Sequence, residues 1–186
     1  MRSDSLDLTA PLVWTVDDVL TPAECTAYIA EIDRRQPTAA PVTTGRGPVM
    51  RPDIRNNERV MIDDPAAAAE LFRRIAPHVP ATMRGRRASG ANERLRCYRY
   101  QPGQRFAPHF DGCFRRDESE ESFLTFIVYL NEGFGGGETA FLDMEKVIAP
   151  RPGRALLFQH MLLHEGCEVT SGVKYVLRTD VMYRAA

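Results

Sequence analysis

The chain has 186 residues, 44% hydrophobic and 26% charged, with 24 Lys and Arg against 25 Asp and Glu. That length and balance predict one domain, residues 1–186, with a sizeable core, and a net charge of −1 excludes the basic surplus of a general nucleic-acid binder. No apolar run approaches the roughly 20 residues that span a bilayer, and "MRSDSLDLTAPLVWTV" has no secretory apolar core, so the expectation is a cytoplasmic protein with no membrane partner.

The first predicted helix is "TPAECTAYIAEIDRR", with Thr21 as N-cap, Pro22 at the first helical position and Glu24 completing a capping box. A second, "DPAAAAELFRRIAPHV", places Asp64 before Pro65 and sets Leu71, Phe72 and Ile75 on one side. Between them, residues 43–63 mix Gly, Pro, Asn and arginines, and read as a substrate-facing loop with at most a short strand. From about residue 93 the pattern changes to short β-branched and aromatic runs: "ERLRCYRYQ", "RFAPHF", "SFLTFIVYL", "GETAFL", "KVIAP", "RALLFQH" and "KYVLRTDVMY". Gly, Pro and Asn punctuate them, which predicts a jelly roll. "ESEE" at 118–121 reads as a solvated loop or lid, and Gly135–Gly137 as a hairpin turn. The expected fold is α+β: a double-stranded β-helix (jelly roll) over 93–186, with helices from 1–92 packed against one sheet and supplying support and substrate loops. Cys25, Cys97, Cys113 and Cys167 form no C-x-x-C pair, so free thiols are expected rather than a zinc ribbon.

The chemistry concentrates at His109-Phe110-Asp111. On an extended strand, residues i and i+2 share a face, so His109 and Asp111 converge while Phe110 turns the other way, toward the core. The other histidines are His78, His160 and His164. His78 falls in the second helix, and either of the remaining two could supply a third ligand. Two histidines and one carboxylate with open positions opposite suit non-haem Fe(II), whereas a closed zinc site would need a fourth ligand. Lys174, ten residues beyond His164 on the last predicted strand, favours His164. Inside a jelly roll this lysine would need an anion, which the far end of an iron-chelating dicarboxylate would bring. Arg178, four residues on and on the same face, is the rival anchor.

This ordered set, H-x-D, a later histidine and a lysine ten beyond it, resembles the Fe(II)/2-oxoglutarate-dependent oxygenases of the prolyl 4-hydroxylase-like family. The resemblance runs from about Leu95 to Tyr183, through "YQPGQRFAPHFD", "LTFIVYLNEGFGGGETAF" and "HEGCEVTSGVKYVLRTDVMY". It implies that His109, Asp111 and His164 bind iron, that Lys174 meets the distal carboxylate of 2-oxoglutarate, and that Tyr100 and Thr125 hydrogen-bond this co-substrate. It implies a dioxygenase using O2, with ascorbate as reductant, that hydroxylates a prolyl residue or another amino-acid-type substrate and releases succinate and CO2. Partners would be a small-molecule or peptide substrate, and Arg55, Asn57 and Arg59 in the 43–63 loop are candidate substrate contacts. The alternative is a non-catalytic, cupin-like metal-binding jelly roll acting as a binding or sensor module. The sequence leaves the oligomeric state open.

Overall fold

Both helices begin where their caps dictate. Thr21 Oγ1 accepts the Glu24 N–H at 3.2 Å while Glu24 Oε2 accepts the Thr21 N–H at 2.8 Å, starting α1 over Pro22–Arg34. Asp64 accepts the Ala67 N–H at 2.9 Å and starts α2 over Pro65–Ile75. Arg74 of α2 reaches Glu24 of α1 at 2.7 Å, joining the two. His78 lies in a 3₁₀ turn, Ala76–His78, just beyond α2. The computed structural model describes residues 5–45 and 47–185; the first four residues of the N-terminal segment, Arg46 of the expected loop and Ala186 lie outside them.

Alternation along the strands builds a nine-stranded antiparallel major sheet with two different faces. Its order is Val13–Val16, Ala155–Gln159, Glu120–Tyr129, Lys174–Ala185, Arg94–Tyr100, Glu58–Asp63 and Thr38–Ala39. The strand Arg86–Ala91 pairs with the far half of Lys174–Ala185 and with Thr82–Met83. Leu95, Cys97, Phe126, Val128, Leu157 and Leu177 face α1 and α2 and pack with Ile32, Leu71 and Ile75. Their neighbours in sequence, Tyr98, Tyr100, Tyr129, Leu156, Phe158 and Val176, face the other way. There a four-stranded minor sheet, Lys146–Ile148, Thr139–Phe141, His164–Gly166 and Phe106–His109 in that order, covers them. This is the expected jelly roll, with the helices on one sheet only.

Three expectations are corrected. Residues 43–63 are not mainly loop. Val42–Thr44 and Gly47–Val49 form a hairpin, and Glu58–Asp63 joins the major sheet because Val60 and Ile62 alternate onto the helix-side core. "ESEE" is a solvated loop only in its first half: Glu118 and Ser119 are exposed, while Glu120 and Glu121 open the strand Glu120–Tyr129 and are buried. Each of these two has one counter-ion nearby in sequence and one distant: Arg116 and Arg184 for Glu120, Arg115 and Arg86 for Glu121. Phe110 is 52% exposed instead of facing the core, because the strand ends at His109 and the alternation ends with it. Among the described residues, no helix is long and apolar enough to cross a membrane.

Candidate metal centre and its cavity

Strand register brings the two histidines together. His164 is the antiparallel partner of His109, so their rings sit side by side with centroids 4.3 Å apart. Asp111 lies past the strand end, held by its N–H to the His160 carbonyl at 3.0 Å. His109 Nε2 is 3.7 Å from Asp111 Oδ1 and His164 Nε2 is 3.6 Å from Asp111 Oδ2. One ligand atom from each of the three residues lies within 4.8 Å of the others.

Each ring is aimed by its own backbone. His109 Nδ1 donates to the Ala107 carbonyl at 2.8 Å, and His164 Nδ1 to the Leu162 carbonyl at 2.9 Å. That leaves both Nε2 lone pairs for a metal. Burial and the neighbouring His164 pull His109 down to about 4, so its imidazole stays neutral at neutral pH. Burial alone would raise Asp111, but Arg178, His164 and His109 outweigh it and hold the carboxyl below the ordinary range. An ionised carboxylate beside two neutral imidazoles with free Nε2 is a donor set that fits Fe(II).

His160 is not part of this set. Its Nδ1 lies 2.9 Å from Thr125 Oγ1 and its Nε2 2.8 Å from Ser122 Oγ, on the far side of Asp111. Thr125, expected to touch a co-substrate, instead donates its hydroxyl to Asp111 Oδ2 at 2.6 Å. It faces the cavity side of its strand, but the carboxylate intercepts it.

A narrow cavity is lined both by His109, Asp111 and His164 and by Lys174. Tyr98, Tyr100, Ile127, Tyr129, Val176 and Arg178 form its wall on the major sheet. Lys174 is 3% exposed, and its ammonium donates to the Gly137 carbonyl at 2.6 Å. It sits 4.9 Å from the Tyr100 ring centre and 5.7 Å from that of Tyr129. No carboxylate among the described residues pairs with it, and burial pulls its pKa down to about 8. Arg178, the rival anchor, is already engaged with Asp111 at 3.0 Å and Asp180 at 3.4 Å. Gly135–Gly137 does more than turn the chain: its first two residues pair with Val169–Ser171, and Gly137 supplies the Lys174 acceptor. A Cβ on Gly136, at φ +69°, would sit 2.2 Å from the Glu168 carbonyl oxygen.

The three residues expected to contact substrate stand elsewhere. The Arg55 guanidinium is sandwiched 4.5 Å from the Tyr98 ring centre and 4.4 Å from that of Phe106, and it donates to Asn57 Oδ1 at 2.7 Å. Phe106 in turn stacks on His109 at 3.5 Å. Arg55 and Asn57 are 5% and 0% exposed, and Arg55 supports the metal strand through Phe106. The Ala107 N–H to Ile54 carbonyl bond, 2.8 Å, ties this segment to the metal strand. Arg59 borders a separate groove with Arg35 and Gln36. Sequence reasoning missed Tyr98, Tyr129 and Thr139 in the cavity wall. The two-residue alternation of Tyr98 with Tyr100 was a usable signal for the first. Thr139, whose hydroxyl pairs with that of Tyr129 at 2.7 Å, gave none.

With this geometry in view, the likeness to known proteins has a structural meaning. Residues 95–179, which carry His109, Asp111, His164 and Lys174, match the 2OG-Fe(II) oxygenase superfamily. Prolyl 4-hydroxylase 1 of Arabidopsis thaliana is 27% identical over 194 residues, covering 89% of this chain and 67% of the plant protein. Among solved structures, the prolyl-4-hydroxylase of Pseudomonas putida superposes with a TM-score of 0.66 at 22% identity, over 97% of this chain and 96% of its own. The viral collagen prolyl hydroxylase of Paramecium Bursaria Chlorella virus-1, solved as a 2OG complex, gives 0.64 at 23% identity, over 95% and 97%. At such identities the solved structures speak for the fold. Over residues 95–179 the chain matches the 2OG-Fe(II) oxygenase superfamily, and it is prolyl 4-hydroxylase-like. It is a 2-oxoglutarate-dependent dioxygenase, a hydroxylase whose cofactor set is Fe(II), 2-oxoglutarate and O2, and the alternative of a non-catalytic module falls away.

Proposed function

We propose that His109, Asp111 and His164 hold the iron, that Lys174 takes the distal carboxylate of 2-oxoglutarate, and that the substrate is a prolyl residue in a peptide or an amino-acid-type small molecule. One observation carries this reading: a single cavity has three ligating side chains at one end and, at the other, a buried ammonium with no acidic partner among the described residues. A buried unpaired cation is costly unless an anion meets it, and a dicarboxylate spanning the cavity meets both ends. When bound, iron with 2-oxoglutarate and O2 supplies the conversion of a C–H bond to C–OH, with release of succinate and CO2.

The chain's own residues do the rest. The Ala107 and Leu162 carbonyls fix the two imidazole planes, and Thr125 and Arg178 hold the two oxygens of Asp111. Lys174 orients the co-substrate, and the Tyr100 hydroxyl, on the same wall, hydrogen-bonds it. Burial raises the Tyr100 phenol to about 12, so it stays a donor across the neutral range. The aromatic wall excludes water from the reacting end. A prolyl substrate is supported by the likeness to the plant enzyme. The two halves of the chain act as one oxygenase domain in this reading. The cytoplasm is its proposed compartment, supported by four free thiols.

The test is succinate formation with Fe(II), ascorbate and 2-oxoglutarate against a panel of prolyl peptides and free amino acids. The expected product is one substrate class heavier by the mass of one oxygen atom. Turnover that survived His109→Ala would overturn the assignment.

A further inference from the structure

The histidine that does not ligate has a definite chemical state. We infer that His160 is a positioning residue for Asp111, its ring held as the neutral Nδ1–H tautomer within a hydrogen-bond chain whose donors all point toward the carboxylate. The inference rests on the reading of Asp111 as an iron ligand.

Counting protons fixes the direction. Thr125 Oγ1 lies 2.6 Å from Asp111 Oδ2; an ionised carboxylate only accepts, so the one hydroxyl proton of Thr125 goes there. The 2.9 Å contact between Thr125 Oγ1 and His160 Nδ1 must then be a donation from the ring. The opposite tautomer would set two lone pairs face to face at that distance. On the other side of the ring, Ser122 Oγ accepts the Phe114 N–H at 2.9 Å and lies 2.8 Å from His160 Nε2. A charged ring 4% exposed is costly; in the neutral Nδ1–H ring that nitrogen is bare and accepts the Ser122 proton.

The chain therefore reads Phe114 N–H to Ser122, Ser122 O–H to His160, His160 N–H to Thr125, and Thr125 O–H to Asp111. Ser122, Thr125 and His160 are 0%, 0% and 4% exposed, so water does not compete for these bonds. The backbone repeats the grip. Asp111 N–H donates to the His160 carbonyl at 3.0 Å, and His160 N–H to the Phe123 carbonyl at 3.2 Å. One residue thus holds both the main chain and, through Thr125, the side chain of Asp111. Aligned donors polarise one another in a low-dielectric interior, and partners of this kind orient metal ligands. Phe114 belongs to the segment that follows Asp111, so the chain also ties that segment to the carboxylate.

Two measurements test this on the full chain. In the Zn(II)-loaded protein, long-range 1H–15N correlation should show His160 protonated at Nδ1 alone; a proton on Nε2, or on both nitrogens, overturns the inference without any variant having to fold. Mn(II) affinity should fall roughly 10–100-fold in Thr125→Val, with Thr125→Ser recovering most of it. His160→Asn, which keeps an N–H near the Nδ1 position, should bind Mn(II) more tightly than His160→Leu. Wild-type affinity in Thr125→Val, or equal losses in Asn and Leu at 160, would show that these side chains only fill space. A wild-type chain that bound no Mn(II) would instead overturn the ligand assignment, and is recognised as that because no substitution is involved.

Discussion

At the His109 end of the cavity, each group proposed to ligate iron is fixed by other partners. The two imidazoles have backbone carbonyls, and Asp111 has Thr125 on one oxygen and Arg178 on the other. At the Lys174 end, the ammonium has one carbonyl and two aromatic rings and, among the described residues, no acid within ion-pair distance. The difference matches two kinds of occupant. A resident metal needs its ligands held in one geometry before it arrives, so the protein over-determines them. A co-substrate consumed at every turnover must enter and leave, so its anchor is left short of a partner that the ligand itself supplies.

Substitutions can break each end separately. Replacing a ligand, as in Asp111→Ala, should abolish metal binding and succinate formation together, beyond the roughly 100-fold that outer-shell changes reach. Lys174→Ala should leave metal affinity near wild type while raising the KM for 2-oxoglutarate. Truncating one partner of a buried charge pair costs about 2–5 kcal/mol, so a rise of roughly 100-fold is expected. Arg55→Ala removes the cation between Tyr98 and Phe106, and with it the support behind His109. About 2 kcal/mol of stability should be lost, read by denaturant unfolding, together with a smaller drop in Mn(II) affinity.

The smallest effect is a pH dependence, and it sharpens the contrast. Burial lowers Lys174 from 10.5 to about 8, so the free enzyme carries the charged ammonium below about pH 8 and loses it above. Affinity for 2-oxoglutarate should be level below that point. Above it, binding must take up a proton and should weaken by up to about tenfold per pH unit. The unfolded chain keeps this proton up to 10.5. Between the two values it therefore binds more protons than the folded chain, and the contribution of Lys174 to stability rises with pH. Isothermal titration of 2-oxoglutarate at a series of pH values reads the first effect and unfolding curves the second.

The legible part of this molecule was the part written in local pattern. A capping box announced the first helix and Asp64 before Pro65 the second, and two-residue alternation announced the strands that make up the jelly roll. H-x-D with a distant histidine and a lysine ten beyond it picked out side chains that the fold then gathered. What failed depended on partners far along the chain. The second half of "ESEE" looks solvated until Arg86 and Arg184 arrive beside Glu121 and Glu120. Arg55 and Asn57, in a polar loop-like stretch, look like ligand contacts until Phe106 and Tyr98 close over them. Thr125 looks like a co-substrate contact until Asp111, 14 residues away in sequence, claims its hydroxyl. Phe110 shows the limit of alternation itself, since period two holds only while the strand lasts.

The most direct test of the two-ended cavity pairs a change in the protein with a change in the ligand. With Mn(II) in the site, wild type and Lys174→Ala are each titrated with 2-oxoglutarate and with 2-oxobutanoate, which keeps the chelating keto acid but lacks the distal carboxylate. Wild type should bind 2-oxoglutarate much the more tightly, and Lys174→Ala should bind the two almost alike. An equal preference for 2-oxoglutarate in both proteins would place the distal carboxylate somewhere other than Lys174 and contradict the account.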